Sequence, residues 1–244
     1  MYTNKIKSLI TKDFKHYCKG KLIRSNLICH TGKSINSENV ISKDVLKFAV
    51  QMEILHNATL LHDDVLDDEE IRRGNDSFNK ILGNKKSILI GDCMLANVSY
   101  EVAQLEKNEI MKNVANILKC FGKGELEQEN YFYKAANKTA FFFAYILDSV
   151  MVLENVSDPH IRRSFFEFGK TYGMYFQYVD DYLDYQKDQE NDTLNIVSQM
   201  NGDKSKVLIL ISYTLVKCLK ILNTIPKSQP IIDYITTLHE EFFS

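Results

Sequence analysis

Apolar residues recur at three- and four-residue spacing over long stretches of this chain, and strict alternation is rare. That period gives each stretch one apolar helical face and argues for an all-α protein. The pattern predicts helices over 3–18, 43–67, 85–105, 109–135, 138–154, 158–187, 204–222 and 230–242. Local signals sharpen some of the ends. Gly20 and Gly32 interrupt the early region, and Gly74 reads as the stop of the helix that starts near 43. Asn84 reads as an N-cap. Asp158-Pro159 opens the long helix that leads into the polar stretch 187–203, with Pro in its first turn. That polar stretch, KDQENDTLNIVSQMNGD, has little periodicity and reads as a surface loop.

Composition adds a domain count. The 244 residues are 45% hydrophobic, with 3 Pro and 10 Gly, and no Pro/Ser/Gly-rich linker divides them. A single domain over 1–244 follows, an antiparallel helical bundle whose sites are built from side chains projecting between helices. The formal net charge of -2 gives no global field to draw nucleic acid or acidic lipid. Five cysteines without a CxxC pair argue against a disulfide framework or a zinc site and for a reducing, intracellular compartment. No apolar run reaches the length of a transmembrane segment. The basic N-terminus lacks the apolar core of a secretion signal, and cytoplasm and mitochondrion both stay open.

The candidate chemistry lies in a pattern that occurs twice. Asp63-Asp64-Val65-Leu66-Asp67 and Asp180-Asp181-Tyr182-Leu183-Asp184 are both DDxxD, and both fall late in a long helical stretch. On a helix, positions i and i+4 share a face, so Asp63 stands with Asp67 and Asp180 with Asp184. Asp64 and Asp181 project about 100° away. Like charges at i,i+4 weaken a helix unless something neutralises them. A solvated acidic face is the plain explanation of one triplet. Two triplets flanked by Ala58, Leu60, Leu61, Phe176, Tyr178 and Val179 point instead to a divalent metal. Acids on apolar faces are costly unless paired or metal-bound. Mg²⁺ suits a few carboxylates completed by water and phosphate oxygens.

The run Leu61-His62-Asp63-Asp64-Val65-Leu66-Asp67, followed by Arg72-Arg73-Gly74, resembles the first aspartate-rich motif of trans-isoprenyl (polyprenyl) diphosphate synthases. Phe168-Gly169-Lys170-Thr171-Tyr172-Gly173, leading into Phe176-Gln177-Tyr178-Val179 and the second triplet, resembles the second. Gly83-Asn84-Lys85, Gly91-Asp92, Gly124-Glu125 with Gln128, and Lys138-Thr139-Ala140 follow the same order. The resemblance is closest to the long-chain class and covers about residues 19–187. It implies an all-α fold around a deep cavity, in a homodimer or a hetero-oligomer with a related subunit.

The resemblance also implies roles. Asp63, Asp67 and Asp180 ligate Mg²⁺, three ions per site, on an allylic diphosphate, and Asp64, Asp181 and Asp184 hold metal-bound water. Arg72, Lys138 and Asp92 surround the allylic diphosphate or its metal shell. Lys21, Arg24, His56 and Arg73 bind isopentenyl diphosphate. Thr139 and Gln177 line the reaction centre. An allylic C–O bond then breaks, and the charge gathering on pyrophosphate needs metal and basic side chains. The carbocation needs a dry cavity. His62 reads as a structural histidine within its helix.

Product length follows from the same resemblance and helix geometry. Thr59 lies one turn before Asp63, with Ala58 beside it. Family members that stop at farnesyl diphosphate carry bulky aromatics at these two positions. Two small residues here predict a longer polyprenyl product, with Leu55 and Met52 as the next floor. The chain also departs from the family. Gly20, Lys21 and Arg24 match the early GGKRxRP pattern whereas Lys19, Leu22 and Ser25 do not. Val207 stands where Pro is usual after the second motif, near a Lys204 that could touch phosphate, and both ends are short. A class I terpene cyclase and a weakly active or non-catalytic subunit of a heteromeric synthase stay open as alternatives.

Overall fold

The computed structural model describes residues 2–18, 20–72, 74–190 and 194–244, with the backbone alone for 186–190. As the periodicity predicts, nearly all regular structure among the described residues is helical: α1 (Thr3–Leu9), α2 (Ile23–Ile35), α3 (Lys43–Leu66), α4 (Phe78–Leu82), α5 (Asn84–Ala103), α6 (Asn108–Glu125), α7 (Tyr131–Ala135), α8 (Phe141–Leu153), α9 (Pro159–Glu190), α10 (Ile196–Gln199), α11 (Lys204–Leu222) and α12 (Gln229–Phe243). A π-turn at Ala136–Ala140 joins α7 to α8, and a small antiparallel hairpin, β1 (Ile71–Arg72) with β2 (Asn75–Asp76), follows α3.

The differences from the periodic reading have local causes. The first helix ends at Leu9 because Ile10 turns extended (ψ 128). Residues 12–17 form turns that bring Cys18 to burial. Helix α2 was missed because Gly32 reads as a breaker. Burial of Leu27, Ile28 and Cys29, all 0% exposed, outweighs the roughly 1 kcal/mol cost of a helical glycine. The helix expected over 109–135 breaks after Glu125. There the Glu127 carboxylate accepts from Glu129 N and Asn130 N, both at 2.9 Å, and Asn130 caps α7. The acidic helix stops at Leu66, with Asp67 as its C-cap, and Gly74 instead turns the hairpin at φ +73°. Gly83, not Asn84, holds the cap position of α5. The stretch read as a loop at 187–203 carries helix at 187–190, where α9 runs to Glu190, and at 196–199, where Ile196 and Val197 of α10 are fully buried. Residues 191–193 lie outside the described residues.

Packing divides the chain into two compact units, Met1–Cys29 with Ile41–Met111, and His30–Val40 with Lys112–Ser244. In the first unit α3 packs along α5, with α4 against both. Phe48, Met52, Ile54 and Leu55 from α3 and Met94, Val98 and Val102 from α5 supply its core. The helices approach so closely that a Cβ at Gly91 would meet His62 Nε2 at 2.3 Å. His62 Nε2 also lies 3.2 Å from Ile88 O, so this histidine is a packing element between α3 and α5.

In the second unit α9 is the spine, with α8, the π-turn and α11 packed on it. The stretch Tyr131–Leu153 is long and apolar enough to cross a membrane, which corrects the reading that no segment reaches that length. It is 67% buried within the protein, as a core helix is. The bidentate Arg162–Asp148 pair, with Asn113 Nδ2 donating to Asp148 at 2.9 Å, pins α9 to α8 and α6.

Two glycines let α9 approach α8. A Cβ at Gly169 would stand 2.7 Å from Phe143 O, and one at Gly173 would stand 2.5 Å from Ala140 Cα. Both obstructions are backbone, so neither can swing aside. Gly173→Ala is therefore expected to lower stability by about 1–3 kcal/mol despite the better helix propensity of alanine. Urea denaturation measures this, and an unchanged or higher midpoint would contradict the close packing.

Candidate functional site

The first triplet occupies the C-terminal turn of α3. The Asp67 N–H bonds Asp63 O at 2.9 Å, which keeps the two carboxylates on one face. Asp63 is 4% exposed, whereas Asp67 is open to solvent. Asp64 points into the unit at 2% exposure. Burial raises its pKa, and the Arg72 guanidinium opposes that rise. Arg72 Nε donates to Asp64 Oδ1 at 2.7 Å and a second guanidinium nitrogen pairs with the same oxygen. Asp64 O, among the last carbonyls of α3, accepts from Glu69 N at 2.9 Å and from Asn79 Nδ2 at 3.0 Å. The hairpin bearing Arg72 is thus tied to the acidic helix. Arg73, the next residue, lies outside the described residues.

The second triplet stands within α9. Asp180 and Asp184, one turn apart, are exposed, while Asp181 is 7% exposed. Asp181 Oδ1 accepts from Gln177 Nε2 at 2.7 Å, and Gln177 Oε1 accepts from Thr139 Oγ1 at 2.6 Å. Thr139 and Lys138 sit on the π-turn, a local widening of the helix that often marks a functional position. Lys138 Nζ pairs with Glu125 Oε1 at 2.7 Å. Gly124 permits this, because a Cβ there would lie 2.8 Å from Lys138 N. Burial, with Asp181 and Asp180 adding to it, drives the Tyr131 phenol far above its usual pKa.

The remaining basic residues group in the first unit. Arg24 Nη1 lies 3.0 Å from His56 Nε2. A guanidinium can only donate, so that imidazole nitrogen accepts and carries no proton. Beneath them Glu53, 3% exposed, accepts from Ser25 Oγ at 2.7 Å and from Asn57 Nδ2 at 3.3 Å. This joins α2 to α3. Burial, together with the Glu53 charge, pushes the Cys18 thiol up to about 12. Lys21 and Asp92 are exposed, and Lys204 Nζ lies over the Tyr182 and Tyr185 rings at 5.7 and 5.3 Å.

Met52, Leu55, Ala58 and Thr59 are all buried. Thr59 Oγ1 donates to His56 O at 2.8 Å. A cavity of about 310 Å³ in this unit is lined by Asn57, Leu60, Leu61, Asp64, Arg72 and Phe78 among others. Positions 57, 60, 61 and 64 lie roughly opposite 52, 55 and 59 around α3. That cavity is therefore distinct from the stripe expected to limit product length.

The family model described as polyprenyl synthetase matches residues 7–227. The chain belongs to the polyprenyl synthetase family. A prenyl transferase of Cyanidium caldarium is 34% identical over 177 residues, 68% of this chain and 54% of its own length. Solanesyl diphosphate synthase 1, chloroplastic, of Arabidopsis thaliana is 31% identical over 185 residues, 70% of this chain and 45% of its own length. The chain spans about half the length of these curated relatives. A geranyltranstransferase from Thermotoga maritima has the same fold, with a TM-score of 0.84 at 19% identity over 99% of this chain and 97% of that one.

Among the residues described above, the motif order named the triplets, Gln177 and Lys138. It did not carry Glu53, Ser25, Asn79 or Asn195, which are uncharged or isolated in sequence and gain meaning only from what they touch. The Asp64–Arg72 pair yields a thermodynamic expectation. Arg72→Met leaves a buried carboxylate without its cation and should cost about 1–3 kcal/mol. Adding Asp64→Asn should recover part of that loss. A double-mutant cycle by chemical denaturation reads the coupling, and additive losses would show that the pair contributes nothing.

Proposed function

We propose that the chain is a Mg²⁺-dependent trans-prenyltransferase that condenses isopentenyl diphosphate with an allylic diphosphate into a polyprenyl diphosphate longer than farnesyl diphosphate. The observation that carries this reading is the pair of aspartate triplets, each presenting i,i+4 carboxylates from a helix within the family's motif order. The donor chemistry fits Mg²⁺, since every candidate ligand is a carboxylate oxygen. Among the described residues no three His, Cys, Asp or Glu side chains converge as a metal cluster. Mg²⁺ needs only a few carboxylates, because it completes its shell with water and substrate phosphate oxygens.

In this reading Asp63, Asp67 and Asp180 hold the metal, three ions with a bound diphosphate, and Asp184 holds metal-bound water. Bound Mg²⁺ supplies charge neutralisation for the departing pyrophosphate. Arg72 and Lys138 take the allylic diphosphate, with Asp92 nearby. Arg72 has five N–H donors, and Asp64 occupies only two of its nitrogens, so donors remain for phosphate. Lys21, Arg24, His56 and Arg73 take isopentenyl diphosphate, with His56 orienting the Arg24 guanidinium. Thr139 and Gln177 line the reaction centre. Two further observations support a long product: Ala58 and Thr59 are small, and a relative's name is that of a solanesyl diphosphate synthase.

Incubation with Mg²⁺, labelled isopentenyl diphosphate and farnesyl or geranylgeranyl diphosphate, followed by chromatography, should yield a longer polyprenyl product. Asp63→Ala or Asp180→Ala should lower kcat on the order of 100-fold or more with an unchanged circular dichroism spectrum. A chelator should act likewise. Full activity in chelator, or cyclisation without consumption of isopentenyl diphosphate, would refute the proposal.

Product length has its own test. Ala58 is 0% exposed, so Ala58→Phe should cost about 1–3 kcal/mol of stability from overpacking. If Ala58 faces the growing chain, the product should also shorten while the first condensation persists. Unchanged product length with lowered stability would make Ala58 a packing residue only.

A further inference from the structure

The middle aspartates of the two triplets are engaged in matching ways. Each is buried, and each has its backbone carbonyl bonded by an asparagine from the segment that follows. Asn79 Nδ2 donates to Asp64 O at 3.0 Å across 15 residues, and Asn195 Nδ2 donates to Asp181 O at 3.1 Å across 14. Asp64 spends its carboxylate on Arg72 of the hairpin. Asp181 spends both oxygens: Oδ1 accepts from Gln177 Nε2 at 2.7 Å, and Oδ2 accepts from Ile196 N, the first residue of α10, at 3.0 Å. Asn195 then caps α10, its Oδ1 accepting from Val197 N at 2.7 Å. Hydrogen bonds from Thr139 through Gln177 and from Ile196 thus converge on the Asp181 carboxylate, which can only accept and so decides which way the Gln177 amide faces.

We propose that Asp181 is a positioning residue that sets the orientation of the Gln177 amide and anchors the start of α10, rather than a holder of metal-bound water. The part concerning Gln177 rests on the proposed prenyl transfer; the anchoring of α10 does not. A carboxylate at the sole acceptor end forces Gln177 to present Nε2 to Asp181 and Oε1 to Thr139. The relay has a second self-consistent state. With Asn at 181, its Nδ2 donates to Gln177 Oε1, Gln177 Nε2 donates to the Thr139 hydroxyl, and Asn Oδ1 still accepts from Ile196 N. The Gln177 amide and Ile196 N both keep partners although the charge is gone. With Ala, Ile196 N and Gln177 both lose their acceptor.

The test compares Asp181→Ala with Asp181→Asn by amide hydrogen exchange and by kinetics. Asp181→Ala should raise exchange at Ile196 at least about tenfold and lower kcat. Asp181→Asn should restore protection at Ile196 to near the wild-type value; with the Gln177 amide reversed, kcat should stay lowered while the Mg²⁺ concentration for half-maximal rate stays within about threefold of wild type. An Asn variant that needs about tenfold more Mg²⁺ would show that Asp181 serves the metal, and one with wild-type kcat would show that the Gln177 orientation is immaterial; either would overturn the proposal. Unchanged exchange at Ile196 in the Ala variant would overturn the anchoring. Exchange is read without substrate or metal, so a wild-type chain lacking prenyltransferase activity would refute the functional reading and leave this outcome intact.

Discussion

A carboxylate carried into the packed face of a helix loses hydration worth several kcal/mol and must find compensation. Three of the six motif aspartates, Asp63, Asp64 and Asp181, meet that condition at 4, 2 and 7% exposure. For Asp64 the compensation is a guanidinium eight residues on. For Asp181 it is an amide on its own helix and a backbone N–H from the next one. These partners in turn dictate where the hairpin and α10 begin. The acidic motifs therefore organise their own surroundings before any ligand is considered.

Close helix approach is the second organising feature, and it is bought with missing side chains. Gly91 makes room for His62, Gly124 for Lys138, and Gly169 and Gly173 for the backbone of α8 and the π-turn. The last two bring α9 against the segment carrying Thr139, near enough for the 2.6 Å bond to Gln177. A methyl group at Gly173 would stand 3.1 Å from Thr139 O and so press on that bond through the Thr139 backbone. Packing and candidate chemistry are thus coupled within the second unit.

The basic residues illustrate how far motif order carries. Arg24 and His56 come from α2 and α3 and meet at 3.0 Å, as two members of one binding group would. Lys138 was read as a phosphate contact, yet its nearest charge is Glu125 at 2.7 Å. Motif order contains both residues without saying that they would pair. An isolated sequence position carries charge and reach but not the identity of the neighbour.

Sequence alone determined the helical class, the bounds of α3, α9, α11 and α12 to within a few residues, and the shared face of each i,i+4 aspartate pair. All of these follow from the 3.6-residue period, which is local. It could not yield α2, because the penalty of Gly32 is local while the burial that outweighs it is not. Nor could it foresee the break at 126–130, where one glutamate side chain competes with the helix for two backbone N–H groups. The inward turn of Asp64 and Asp181 was legible as an angle of about 100° from their neighbours. What lies at that angle, Arg72 and Asn79 in one case, Gln177 and Ile196 in the other, was decided only by tertiary structure, since a hydrogen bond needs both partners and all but Gln177 arrive from outside the helix.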